Sequence, residues 1–139
     1  GEETYADVFL TAVGANVVGG GGSGGGSVLG SVSVSDAEVA SVAGKNLIVV
    51  GGSCVNSVAA DLVGGALCGA DWEAATGVGA GQYLIQTFSR SGGNVATLVA
   101  GYNAGDTTNA AKYATTQTVD TSVGKKYVGT TATTASMVA

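Results

Sequence analysis

Few side chains in this sequence are of a type that carries out chemistry, and the best placed follow two apolar segments, 47–50 and 95–100. The residues there that could bind a ligand or an anion are Gly51, Gly52, Ser53, Asn56 and Asp106. A glycine turn between a strand and a helix binds phosphate in doubly wound folds, because the first amides of the helix point at the ligand. The spaced glycines of a dinucleotide fingerprint and the lysine of a Walker motif are missing. Tight packing of the turn, with Ser53 capping the helix, is therefore the competing interpretation.

Acidic side chains supply a second group of candidates. Asp71 and Glu73 flank Trp72 and would lie on one side of an extended segment, as a pair of catalytic carboxylates does. They are also calcium candidates, together with Asp106, although the spacing of an EF-hand is absent. The competing interpretation is a solvated loop with Trp72 in the core or an interface, and Asp106 as the N-cap of a helix.

The sequence contains no histidine, and histidine is the usual general base and the commonest metal ligand. We therefore predict no catalytic residues, no metal, no cofactor and no enzymatic activity.

The two cysteines, Cys54 and Cys68, lie 14 positions apart. A helix from Cys54 to Val63 would rise about 13.5 Å, and five extended residues return at most about 17 Å. A disulfide is therefore within reach; two buried free thiols are the alternative, since no Cys-x-x-Cys spacing occurs. If the bond forms, segment 83–88 must run antiparallel to the first apolar strand, and segment 95–100 parallel to it.

The elements that must position these residues follow from apolar periodicity. Segment 47–50 is typical of a buried strand, and the apolar residues after it recur at helical spacing: Val55, Val58, Ala59 and Leu62. A second strand and helix follow at 95–100 and after Asp106, and segments 83–88 and 125–133 favour further strands. The sequence predicts a single-domain α/β fold. Its mixed β-sheet has two strand-helix units, like half of a Rossmann fold, with extra N- and C-terminal strands.

Composition divides the chain into four parts. Residues 1–18 predict an N-terminal strand or arm, and 19–27, GGGGSGGGS, a flexible loop or linker. Residues 28–128 form the α/β module. Residues 129–139 predict a Thr/Ala-rich arm that either frays or pairs with a neighbouring subunit.

Charge excludes several classes of partner. Charged residues make up 11% of the chain, against about 25% in typical soluble proteins. The net charge is −5, and the five basic residues form no cluster beyond one pair, so neither nucleic acid nor an anionic membrane surface is an expected partner. No apolar run reaches the roughly 18 residues of a membrane span. Such a chain either buries surface against partners or exposes Thr, Ser and Gly.

Four segments, in order, resemble the C-terminal region of archaeal S-layer proteins: KNLIVVGGSCVNSVAADLVG, ALCGADW, GQYLIQTF and VATLVAGYNAGDTTNAAKY. In that family an NLIVVGG strand precedes a V-N-S-x-A-A-x-L helix, and a later (L/V)VAGY…DT…AA…Y unit completes the pattern. The resemblance covers roughly residues 36–127. It implies an extracellular, non-catalytic, self-assembling envelope protein in which Cys54 and Cys68 are a structural pair.

We therefore expect a secreted structural protein of an archaeal cell surface whose main partner is itself, with other envelope components as further partners. S-layer proteins are usually several times longer, so a filament or tubule is considered beside a surface layer, assembled through strand arms and low-charge faces. The alternative is an envelope-anchoring or glycan-binding module with its ligand at the C-terminal ends of the parallel strands.

Overall fold

A mixed β-sheet with helices on both faces forms the fold, as the computed structural model describes it for residues 8–11 and 32–138. The strands are β1 (Val8–Thr11), β2 (Val32–Ser35), β3 (Leu47–Val50), β4 (Tyr83–Ser89), β5 (Val95–Gly101), β6 (Lys126–Thr131) and β7 (Thr134–Val138). The helices are α1 (Ser57–Val63), α2 (Ala70–Thr76) and α3 (Ala104–Thr116), with 3₁₀ helices at Asp36–Val42 and Ser91–Gly93. The predicted α/β class and single mixed sheet are confirmed.

The strand order is β2-β1-β3-β5-β4-β6-β7. Strands β2, β1, β3 and β5 pair in parallel, whereas β4 is antiparallel to both β5 and β6. The directions predicted for 83–88 and 95–100 are therefore confirmed. They follow from the return of the chain, after α1, to the end of the sheet where β3 finishes.

The sheet separates two apolar clusters, because successive side chains of a strand point to opposite faces. On one face Leu47, Val49 and Leu98 pack with Ala59 of α1 and Trp72 of α2. The residues that pack under α3 on the other face are Tyr83, Ile85, Val99, Ala110, Tyr113 and Tyr127. The buried interior is thus a three-layer helix–sheet–helix arrangement.

All three α-helices differ from the prediction, and α3 begins at Ala104 with Asn103 rather than Asp106 as its N-cap. The helix predicted from Cys54 begins at Ser57, because Asn56 caps it, and Val55, predicted to face inward, precedes the helix and is 66% exposed. The loop predicted around Asp71 and Glu73 is instead helix α2. Burial of Trp72 on this helix, at 3% exposure, confirms its expected place in the core.

Within the described residues, both predicted terminal arms contribute strands to the sheet. Strand β1 lies between β2 and β3, so the described part of the N-terminal segment is an internal strand. The boundary predicted after residue 128 falls inside β6, and β7 pairs with β6 of the same chain. Residues 28–31 of the predicted module 28–128 lie outside the described residues, as does the glycine-rich segment 19–27.

Candidate functional site

The carboxyl ends of β3 and β5 meet at one edge of the sheet, as the sequence predicts. The backbone amide of Gly51 donates to the carbonyl of Val99 at 3.0 Å, and a Cβ on Gly52 would lie 3.6 Å from the carbonyl oxygen of Gly101. After β3 the chain crosses to the face covered by α1, and after β5 to the face covered by α3. Such a switch point is the usual ligand position in open α/β sheets.

The first-turn amides of α1, which would bind an anion at this edge, are already occupied by the chain's own side chains. The Oδ1 atom of Asn56 accepts hydrogen bonds from Val58 and Ala59, at 2.9 and 3.1 Å. The Nδ2 group of Asn56 donates to the carbonyl of Val50 at 3.2 Å. Asn56 is only 1% exposed, and its hydrogen bonds join the end of β3 to the start of α1. The first-turn amides of α1 are therefore used internally.

Asp36 completes the start of α1 from a distant part of the sequence. Its Oδ2 atom accepts from the backbone amide of Ser57 at 2.7 Å and from the Ser57 hydroxyl at 2.9 Å. The hydrogen bond from the Ser57 amide is the main cause that lowers the pKa of Asp36, outweighing its burial. An ionised carboxylate of the protein itself thus lies where an anionic ligand would bind.

Ser53 does not cap α1; its side chain is hydrogen-bonded to the loop that follows the helix. Its hydroxyl accepts from the amide of Leu67 and donates to the carbonyl of Leu67, both at 3.2 Å. The neighbouring disulfide joins Cys54 and Cys68, with Cα atoms 4.9 Å apart. The predicted pairing is confirmed, and the alternative of two buried thiols is wrong, since both residues are exposed and bonded.

Asp106 lies in the first turn of α3, and Asn103 is the N-cap residue. The Asp106 carboxylate accepts from the amide of Asn103 at 3.0 Å and from that of Gly81 at 3.2 Å. It therefore attaches the loop before β4 to the helix. Gly101 lies directly beneath, because an added Cβ would come within 2.3 Å of the Asp106 Cβ.

The acidic pair of α2 is not a convergent site. Asp71 and Glu73 are two positions apart on a helix, which points them in different directions rather than to one side. The Glu73 carboxylate lies over Gly79, where an added Cβ would approach its Oε2 to 2.8 Å. Among residues 8–11 and 32–138 there is no group of three or more His, Cys, Asp or Glu that could hold a metal ion.

The sequence prediction missed a polar contact that fixes the C-terminal hairpin. The hydroxyl of Tyr83 donates to the carbonyl of Thr131 at 2.7 Å and lies 3.3 Å from that of Thr134. These carbonyls flank the β6–β7 turn. Burial, with a smaller effect of Tyr113, raises the pKa of Tyr83 to about 12. The Tyr83 ring also lies over Gly129, whose added Cβ would meet Cζ at 2.3 Å.

Strand β7 is one of the two edge strands of the described sheet, and β2 is the other. Met137 is 50% and Val138 37% exposed, and no charged residue occurs between positions 127 and 138. Because β7 is last in the strand order, its outer edge has no pairing partner among the described residues. The available sequence signal was the uncharged run TTATTASMV, without a lysine or proline of the kind that commonly protects an edge strand.

Comparison of the chain with protein-family profiles, curated proteins and solved structures finds no match. No helix in the described part of the chain is long and apolar enough to cross a membrane.

Proposed function

We propose that this chain is a non-catalytic, extracellular structural module that assembles with copies of itself into an archaeal surface layer, filament or tubule. The observation that carries the proposal is the outer edge of β7. Natural sheet edges are commonly protected by lysine, proline or a covering segment, because an open edge pairs with other chains. A five-residue edge without charge, carrying exposed Met137 and Val138, favours association.

The surface chemistry supports this proposal. Helix α3 exposes mainly small neutral residues, among them Thr108, Thr115 and Thr116. A low charge density reduces the repulsion between like copies that keeps many proteins apart. The Cys54–Cys68 bond is typical of proteins that work in oxidising compartments outside the cytosol. The resemblance to S-layer proteins supplies the archaeal cell surface as the setting.

The proposal is tested by electron microscopy and light scattering of the oxidised protein over a range of protein, salt and calcium concentrations. We expect ordered layers, filaments or tubules that form reversibly as the concentration increases. Monodisperse single chains under every condition would contradict the proposal.

A second candidate function is envelope anchoring through a bound glycan. It is favoured by the meeting of the Gly51–Gly52 turn and the Gly101 loop at a switch point of the sheet. The internal hydrogen bonds of Asn56 and Asp36 disfavour an anionic ligand there and leave neutral sugar hydroxyls as the ligand chemistry. Retention of the chain on isolated envelope glycan, abolished by soluble glycan, would support this function; no retention would remove it.

A further inference from the structure

The β7 edge has a pattern that is complementary to itself. Its five residues alternate between the two faces of the sheet: Ala135 and Met137 lie on the α3 face, opposite Gly129 and Tyr127 of β6. Thr134, Ser136 and Val138 therefore point to the other face. An antiparallel copy of the same strand presents the same faces when the two are related by a two-fold axis normal to the sheet.

We propose that β7 pairs with β7 of a second copy, antiparallel and in register about Ser136, to give one continuous sheet across two chains. In this register Met137 lies directly opposite Ala135 of the second copy, and Val138 opposite Thr134. Each large exposed side chain thus meets a small one on the same face. The inference rests on the proposed self-assembly and names its contact.

Charge is compatible with this register. The charged residue nearest to β7 in the sequence, Lys126, lies opposite Val138 at one end of β7, and its ammonium donates to the carbonyl of Thr76 at 2.7 Å. The second copy's lysine lies at the other end of the paired strands, about 14 Å away along them at about 3.4 Å per residue. Because this exceeds the Debye length of about 8 Å at physiological salt, repulsion between the two is largely screened.

The hairpin is held in place for such pairing before a second copy arrives. Tyr83 fixes both carbonyls beside the β6–β7 turn, so β7 is ordered in the single chain. A preformed edge loses less conformational freedom on association than a free arm would. One two-fold contact closes on itself, so growth into a polymer requires another contact elsewhere on the chain.

A pair of matched variants tests the inference. Ser136→Lys places two ammonium groups directly opposite each other across the two-fold axis, while Ser41→Lys makes the same change in net charge on the 3₁₀ helix that contacts β1 and β2, at the other end of the sheet. We expect Ser136→Lys to weaken self-association at least tenfold in sedimentation velocity, since apposed like charges cost more than the roughly 1.4 kcal/mol that corresponds to tenfold. Ser41→Lys should associate as the unaltered chain does.

Oxidative crosslinking tests the register. Ser136→Cys should form a covalent dimer under mild oxidation, because residue 136 lies opposite its own copy, and Ser41→Cys should not. If the unaltered chain associates but Ser136→Lys associates equally well and Ser136→Cys fails to crosslink, the β7 contact is wrong and the proposed self-assembly stands. If the unaltered chain remains a single chain at all concentrations, both are wrong. If Ser136→Lys alone loses association and Ser136→Cys does not crosslink, the two-fold register is wrong. That outcome would favour pairing of β7 with another strand.

Discussion

The carboxyl ends of β3 and β5 and the outer edge of β7 use their backbone polar groups in opposite ways. At the first, Asn56 and Asp36 accept from the first amides of α1, and Ser53 bonds the backbone of Leu67 in the loop after that helix. At the second, a whole strand edge has no partner within the described chain. The region with the sequence features of a ligand site is thus closed internally, whereas the region predicted to be a Thr/Ala-rich arm retains unused hydrogen-bonding capacity.

This difference shows that a glycine-rich turn between strand and helix is not by itself a binding site. The amides at the start of the following helix must be free, and here the Asp36 carboxylate and the buried Asn56 side chain already accept from them. An edge strand is the reverse case, because its side chains carry no chemical signal while its backbone remains available. Backbone availability therefore separates the two regions better than side-chain chemistry does.

The largest expected loss of stability comes from adding a side-chain atom beneath α3, where there is no room for it. Gly101→Ala would drive a Cβ to within 2.4 Å of backbone atoms of Asp106 and Thr107. We expect at least about 3 kcal/mol of lost stability, because the helix must shift. Urea unfolding measures this loss.

Gly129→Ala is the matched substitution in the β6–β7 hairpin, where the added Cβ would meet the Tyr83 ring and the Thr134 carbonyl. The β6–β7 hairpin lies at the edge of the described sheet with no strand beyond it there, so it can move outward more easily than α3 can, and a smaller loss is expected, concentrated in the hairpin. Equal losses for the two variants would contradict the distinction between a rigid and an adjustable region.

Removal of the disulfide tests how much the Cys54–Cys68 bond stabilises the region around α1. Replacing both Cys54 and Cys68 by Ala should lower the free energy of unfolding by about 3 kcal/mol, the value for a loop of this length in the chain-entropy model. Because both cysteines are exposed, a reductant should give the same loss in the unaltered chain and none in the variant. A reductant-sensitive variant, or an insensitive unaltered chain, would disprove the role of this bond.

Asn56→Ala tests the internal closure of the turn. It removes the cap of α1 and leaves the carbonyl of Val50 without its donor. Loss of the cap and of a buried hydrogen bond together should cost about 2 to 3 kcal/mol in urea unfolding. Asn109→Ala on α3 is the control and should change stability by less than about 0.5 kcal/mol. If the two variants behave alike, Asn56 does not close the site.

Substitution of Tyr83, which holds the β6–β7 hairpin at the edge of the sheet, should cause the smallest and most local loss of stability. Tyr83→Phe should cost about 1 to 2 kcal/mol by removing the hydroxyl that binds the turn. Since folding raises the pKa of Tyr83 from 10.0 to about 12, its contribution is complete below pH 10 and is lost as the pH rises from 10 to 12. The unaltered chain should lose stability across that range, and Tyr83→Phe should lose less. Parallel pH profiles of the two would refute this assignment.

The directions of β3, β4 and β5 were predictable from sequence because two cysteines fixed the return of the chain after one helix. The meeting of Gly51 and Gly52 with the Gly101 loop followed from parallel pairing. The closure of that site was not predictable, since the link from Asp36 to Ser57 spans 21 positions and has no local signal. The β6–β7 hairpin was missed for a similar reason: its fastening residue, Tyr83, lies 48 positions before Thr131.

Hydrogen–deuterium exchange of the unaltered, oxidised chain at low and high protein concentration tests the β7 contact most directly. Pairing of two β7 edges predicts that amides within 134–138 become protected as concentration increases, while those of the Gly51–Gly52 turn and α1 exchange at unchanged rates. Concentration-independent exchange throughout β7 in an assembled sample would contradict the account.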